Sequence, residues 1–133
     1  MKRKQRLYNS IKQILLDSFS CLSIKEFEAY DKEMKKLNHQ FRNKNNTTNV
    51  LSFQNDDISL MQTKNIGDIA ISLEYVKREA KEEGKFFEDH MIHMLAHGVY
   101  HILGYDHEND EMAATMESKE INILNKININ NPY

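Results

Sequence analysis

Three histidines in the chain have the residue type and spacing of a metal site: His97, His101 and His107, within the segment HGVYHILGYDH. Residues four apart share one face of a helix, so His97 and His101 can direct their imidazoles to one point. Gly104 can adopt a positive φ, which ends a helix sharply and lets the chain return His107 to that point. Three imidazoles leave a fourth position for water, the pattern of a catalytic zinc site. We predict one zinc ion per chain, or another divalent metal.

The neighbouring polar residues are assigned by their distance along the helix. Four residues rise about 6 Å, so His93 and His101 would stand about 12 Å apart, too far to bind one ion together. His93 is therefore expected either to contact a metal-binding histidine without binding the ion itself or to pack in the core. Asp106, beside the third ligand, is expected to orient a histidine or to cap the turn. His90 and His39 are predicted to lie on the surface.

The residue after the first histidine separates two kinds of hydrolase. The same histidine spacing occurs in metzincin proteases, which carry a Glu there as general base. Here that position is Gly98, which weakens the protease hypothesis. Phosphodiester hydrolysis instead needs a cation against the charge that develops on phosphate oxygens.

A positively charged stretch supplies candidate cations for that role. No acidic residue occurs between Met34 and Asn55. The basic residues of that stretch are Lys35, Lys36, Arg42 and Lys44. The alternative is an ordinary solvated helix face that runs into a loop.

The composition limits the classes of protein that this chain can represent. Its 133 residues fit one domain, and 18 basic against 20 acidic residues give a net charge of −2. That balance excludes generic coating of a polyanion. The single Cys21 cannot form an intrachain disulfide, which fits a reducing compartment. No apolar run approaches the roughly 20 residues that span a membrane, so we expect a cytoplasmic protein with no membrane partner.

Periodicity along the chain predicts the elements that must position these residues. Amphipathic patterns predict five helices, over residues 8–19, 31–41 with Asp31 as N-cap, 73–83 ending at Gly84, 86–103, and 108–126. Alternating or β-prone segments predict strands from Leu22 toward Tyr30, at Val50–Phe53 and at Ile66–Ser72, with a hairpin loop between the last two. Residues 127–133 are expected to be a frayed tail. Helices outnumber strands and the strands come early, which indicates an α+β fold.

The histidine segment resembles the signature of the YbeY family, bacterial metal-dependent endoribonucleases of ribosomal RNA maturation. Two further blocks agree with it and follow in the order that the family has: Leu37–Phe53, with Arg42, Lys44 and the run TNVLSF, and Gly67–Ile71, with the run GDIAI. Thr47 and Gln54 stand where the family often has proline.

The resemblance implies both a fold and an activity. It implies a single α+β domain over residues 1–133, with a small mixed β-sheet and about five helices around a metal-bearing cleft, and a short or absent N-terminal strand. The family's zinc ligands fall on His97, His101 and His107, and its essential arginine falls on Arg42. Lys44 and Lys36 are the expected further contacts to substrate.

Members of the family cleave single-stranded RNA, mature the 3′ end of 16S ribosomal RNA and act in ribosome quality control. They work in the cytoplasm with ribosomal components, and no DNA partner is expected. Two alternatives stay open: a ribosome-associated assembly factor with a structural metal, and a metal-dependent peptidase or small-molecule hydrolase.

Overall fold

The computed structural model describes residues 23–54 and 65–133 of the chain. In these residues it contains three strands and four helices. In chain order they are β1 (Ser23–Ala29), α1 (Asp31–Arg42), β2 (Val50–Gln54), β3 (Asn65–Ser72), α2 (Leu73–Glu83), α3 (Phe87–Ile102) and α4 (Asp110–Lys126). The helix predicted over 8–19 and the loop predicted between β2 and β3 lie outside the described residues.

The sheet is mixed, with β3 in its centre. The strand order is β1-β3-β2, in which β1 runs parallel to β3 and β2 runs antiparallel to it. Leu51 of β2 pairs with Ala70 of β3, and Phe53 pairs with Asp68. The α+β class with a small mixed sheet is therefore confirmed.

Both faces of β3 are buried, which explains why its sequence is apolar at consecutive positions. Ile69 and Ile71 belong to the large cluster that α3 and α4 complete. Ala70 points to the opposite face, where it packs with Leu51 and with Met34 of α1. The sheet thus lies between α1 on one side and α3 on the other, because each of its faces offers apolar side chains to a helix.

Helix α3 packs unusually close to the sheet at Gly98. A Cβ atom at this position would lie 3.0 Å from Ser52 Oγ and 3.1 Å from Ile69 Cδ1. The Ser52 hydroxyl, on β2, also donates a hydrogen bond to the carbonyl oxygen of Gly98 (3.0 Å). These distances are shorter than most Cβ contacts, so a larger residue such as the Glu of the metzincin pattern would have to displace the Ser52 and Ile69 side chains slightly.

The start of α1 differs from its prediction. Tyr30 is the N-cap and Asp31 is the first helical residue, so the prediction of Asp31 as N-cap was wrong. The Asp31 carboxylate instead accepts a hydrogen bond from Ser72 Oγ (2.7 Å) and forms an ion pair with Arg78 (2.8 Å). These contacts tie α1 to the β3–α2 junction.

His90 is buried, with 3% of its surface exposed, so its predicted surface location was wrong. Its Nε2 lies 2.6 Å from Glu79 Oε1 of α2, because this side of α3 packs against α2. His39 is exposed, as the sequence predicts.

The last seven residues carry neither helix nor strand, yet part of this tail packs against the protein. Ile129 is buried, and Lys85 Nζ donates a hydrogen bond to the carbonyl oxygen of Pro132 (2.8 Å). A frayed tail was expected because the segment is rich in asparagine. Among residues 23–54 and 65–133, no helix is both long enough and apolar enough to cross a membrane.

Candidate metal centre and substrate cleft

The structure brings His97, His101 and His107 together at the end of α3. One nitrogen from each ring lies within 4.8 Å of the others, and the Nε2 atoms of His97 and His101 are 3.0 Å apart. Ligands about 2.0–2.1 Å from a tetrahedral zinc ion stand roughly 3.3 Å from one another. Three neutral imidazoles at these separations match the donor set of a divalent transition metal, so the group could hold such an ion.

The turn after α3 brings the third histidine back to the other two. Gly104 has a φ of 102°, in the region that favours glycine. The amide of Tyr105 donates to the carbonyl oxygen of Tyr100 (3.0 Å), which closes the turn. Asp106 Oδ1 then accepts a hydrogen bond from the backbone N–H of His107 (2.8 Å). Of its two expected roles, this contact corresponds to shaping the turn.

The electrostatic surroundings of His101 favour the neutral ring that a metal ligand needs. Burial lowers the pKa of His101 below its ordinary value of 6.5, and the proximity of His97 and His107 lowers it further, because protonated rings this close together would repel one another. A lowered pKa means that the protonated form is lost at a more acidic pH. Near neutrality the ring therefore keeps a free lone pair for a cation.

A buried carboxylate lies directly behind the candidate centre. Glu120 of α4 is fully buried, and its Oε1 lies 3.2 Å from His97 Nδ1 and 2.8 Å from His93 Nε2. The hydroxyl of Tyr133 donates to both carboxylate oxygens, at 3.2 and 3.1 Å. Burial alone would raise the pKa of Glu120, but the hydrogen bonds from His93 and His97 prevail and lower it to about 2.

This arrangement fixes the tautomer of the first histidine. An ionised carboxylate can only accept hydrogen bonds, so His97 must carry its proton on Nδ1. Its Nε2 lone pair then faces His101 and the candidate metal position. His93 contacts Glu120 and not the metal position, so it supports His97 through the shared carboxylate.

The sequence interpretation missed Glu120, which lies 23 residues from His97. A local signal for it does exist. Met116, Ile123 and Leu124 of α4 are buried, and they lie four residues before, three after and four after Glu120. An acidic residue in the apolar stripe of an amphipathic helix must have a buried partner, because an unpaired buried charge is very costly.

The three histidines open into a cleft of about 950 Å³. Residues from two stretches, 38–54 and 97–107, line most of it. Arg42 and Lys44 are among the lining residues, whereas Lys36 is exposed on α1 and is not. Among the described residues that line the cleft, Asp106 is the only carboxylate. The cleft therefore carries a local positive charge in a chain whose net charge is −2.

The guanidinium of Arg42 is held against β2. Its Nη2 donates to the carbonyl oxygen of Ser52 (2.6 Å), and its Cζ lies 5.9 Å from the centre of the Phe53 ring. A guanidinium has five N–H donors in a fixed plane, so one bond to the backbone orients the others toward a further acceptor. Arg42 thus lines the same cleft as the three histidines, and its guanidinium is oriented before any substrate binds.

Comparisons with known proteins show which family the chain resembles. A family model described as endoribonuclease YbeY matches residues 3–128. The chain is 50% identical over 109 residues to the endoribonuclease YbeY of Bartonella quintana, a match that covers 77% of this chain and 66% of that protein. It is 50% identical over 102 residues to the protein of the same name from Bartonella bacilliformis, covering 75% and 65%. The chain thus spans slightly less than two thirds of the length of these relatives.

A solved structure supports the fold. The solution structure of a protein from Thermotoga maritima superposes with a TM-score of 0.60, at 23% sequence identity, over 93% of this chain and 85% of that one. At this identity the likeness concerns the fold alone.

Proposed function

The chain belongs to the endoribonuclease YbeY family, and from that membership we propose that it is a zinc-dependent endoribonuclease that cleaves single-stranded RNA. The observation that carries the proposal is the convergence of His97, His101 and His107 on one side of a cleft that also holds Arg42. The finer assignment follows the family resemblance. We place the enzyme in the cytoplasm with ribosomal components, acting in maturation of the 3′ end of 16S ribosomal RNA and in ribosome quality control.

His97, His101 and His107 would hold the metal ion. A bound divalent ion supplies Lewis acidity, which makes water a stronger nucleophile at neutral pH. Glu120 would keep the Nε2 lone pair of His97 directed to the ion by accepting a hydrogen bond from Nδ1–H, and Asp106 shapes the turn that presents His107.

Arg42 would bind the phosphodiester and offset the negative charge that grows on its oxygens during cleavage. Its anchor on Ser52 fixes the direction of the guanidinium before substrate arrives, so little reorganisation is needed. Lys44, on the same cleft, adds a weaker positive charge. Lys36 lies outside the cleft and would contact RNA that extends beyond it.

The packing at Gly98 counts against the peptidase alternative. A peptidase with this histidine spacing needs a Glu after the first ligand, and this chain has Gly98 there, packed tightly against Ser52 and Ile69. The positive lining of the cleft also suits a polyanion better than a peptide. The assembly-factor alternative has no feature in the described residues that favours it over catalysis.

The test is to incubate the purified protein with single-stranded RNA, with duplex RNA of the same sequence and with casein, each with and without a chelator. We expect cleavage of the single strand, inhibition by the chelator, recovery on addition of zinc, and no cleavage of casein. Cleavage of casein, or RNA cleavage that a chelator leaves unchanged, would contradict the proposal.

A further inference from the structure

Phe41 is an exposed aromatic side chain on the wall of the candidate cleft. In the described part of the chain, four large apolar side chains are strongly exposed: Tyr30, Phe41, Phe86 and Tyr133. Of these four, only Phe41 lines the cleft, with 56% of its surface exposed. Single exposed apolar residues are common on protein surfaces, so its position next to the candidate catalytic groups is what requires an explanation.

The ring of Phe41 is connected to the core through Phe53. It meets the ring of Phe53 edge to face, with centroids 5.2 Å apart and an interplanar angle of 67°. Phe53 in turn packs against the buried cluster of Met34, Leu51 and Ala70. The contact with Phe53 favours one orientation of the Phe41 ring before any ligand binds, which reduces the entropy lost on binding.

A cation accompanies this ring. Arg42 is the next residue on the last turn of α1, and both side chains line the cleft. The guanidinium is anchored to Ser52 and lies over the same Phe53 ring that orients Phe41. An aromatic ring and a cation side by side can bind two parts of one nucleotide: the base stacks on the ring, and the phosphate pairs with the cation.

We propose that Phe41 is a stacking platform for one nucleobase of the bound RNA, next to the phosphate that Arg42 contacts. The inference rests on the proposed function, because it assumes that RNA occupies this cleft. A base in a single strand is free to leave its neighbours and stack on a protein ring, whereas a base in a duplex is already stacked and paired. Phe41 would therefore help to select single-stranded over duplex RNA.

The local charge favours RNA over an apolar protein partner as the occupant. Residues 34–55 contain no acid, and Asp106 is the only carboxylate among the described lining residues. A peptide docking on Phe41 through apolar contacts alone would gain nothing from Arg42 and Lys44, whereas an RNA strand uses both the ring and the cations.

The test compares Phe41→Leu, which keeps an apolar side chain against Phe53, with Phe41→Tyr, which keeps an aromatic ring. Phe86→Leu is the matched control, because Phe86 is also exposed but does not line the cleft. Binding is measured on the metal-stripped 133-residue chain by fluorescence anisotropy, with a short single-stranded RNA. In a second RNA, 2-aminopurine replaces one base at each position in turn and reports stacking by quenching. Thermal unfolding verifies that each variant is folded.

We expect Phe41→Leu to weaken single-strand binding by about tenfold and to remove the quenching at one position. Phe41→Tyr should keep the quenching, Phe86→Leu should change neither signal, and weak duplex binding should not respond to any variant. A folded Phe41→Leu protein that binds and quenches like the unchanged chain would overturn the inference, and so would equal losses for single strand and duplex. Because the assay needs no cleavage, binding with Phe41-dependent quenching would support the platform even in a protein that failed to cut RNA.

Discussion

At the scale of single residues, Glu120 is the group whose role is least visible from the sequence. Its carboxylate accepts hydrogen bonds from His97, His93 and Tyr133 while it is fully buried. Carboxylates that orient a metal-binding histidine typically change metal affinity by about 10- to 100-fold when they are altered. The network therefore connects α4 to the candidate metal centre, although no residue of α4 is a candidate ligand.

The first prediction concerns Glu120→Gln, which keeps the size of the side chain and removes its charge. An amide is a weaker acceptor for the Nδ1 proton of His97, so we expect zinc affinity to fall by about tenfold or more. Competition with a chelator of known affinity measures this change. Glu117→Gln, on the same helix, is the control. Unchanged zinc affinity in a folded Glu120→Gln protein would show that the carboxylate does not position His97.

The second prediction concerns Arg42. Arg42→Ala removes the cation that would face the phosphate, and we expect RNA cleavage to fall by about 10²- to 10³-fold. Bound zinc should stay at the level of the unchanged protein, since Arg42 does not contact the three histidines. Arg42→Lys should recover only part of the rate, because an ammonium lacks the planar fork. Lys32→Ala, an exposed position at the start of α1, is the control, and full activity of Arg42→Ala would contradict the proposed role.

At the scale of the elements, the sequence correctly predicted the features that depend on residues close together in the chain. Helix α2 has the predicted bounds, Leu73–Glu83, because its amphipathic pattern and the Gly84 that follows it lie within one segment. The convergence of the histidines was also predictable, since helical spacing and one short turn produce it. The features that were predicted wrongly depend on contacts between elements that are far apart in the sequence. Asp31 bonds to Ser72 instead of capping its own helix, and His90 is buried by α2.

The third prediction concerns the junction that Asp31 forms between α1, β3 and α2. Burial would raise the pKa of Asp31, but the hydrogen bond from Ser72 and the ion pair with Arg78 prevail and hold it below its ordinary value of 3.8. A carboxyl with a lowered folded-state pKa adds stability above its unfolded-state value, and this stability is lost as the pH falls through the folded-state value. The contribution is therefore present at neutral pH and disappears in acid.

Asp31→Asn should lower the free energy of unfolding at pH 7 by about 1 kcal/mol, because the carboxylate is partly exposed and its ion pair is screened. The difference from the unchanged protein should shrink as the pH falls below about 4. Urea unfolding at pH 7 and at pH 3 measures both values, with Glu33→Gln as the control from the same helical turn. A difference that is equal at both pH values would contradict this assignment of the stabilising charge.

At the scale of the whole molecule, the distribution of charge is more informative than its sum. The net charge of −2 argues against a general affinity for RNA, while Arg42 and Lys44 line a cleft in which Asp106 is the single carboxylate among the described lining residues. Binding should therefore depend on a few local phosphate contacts.

The fourth prediction follows from that distribution. The logarithm of a binding constant for single-stranded RNA falls with the logarithm of salt concentration by about 0.7 per neutralised phosphate. Two cations in the cleft predict a slope of about −1.4, and a further contact from Lys36 would bring it to about −2. Anisotropy titrations at several salt concentrations give the slope. A value near −5 would mean that RNA binds over a broad surface and not in this cleft.

The central claim is that the three histidines hold the metal ion on which RNA cleavage depends. The most direct test is to strip the protein of metal, add zinc in steps, and measure bound zinc and the rate of single-stranded RNA cleavage in the same samples. We predict a rate that rises in proportion to bound zinc and saturates at one ion per chain, with neither binding nor cleavage in His101→Ala. Full cleavage by the metal-free protein, or stoichiometric zinc without any RNA cleavage, would contradict the account.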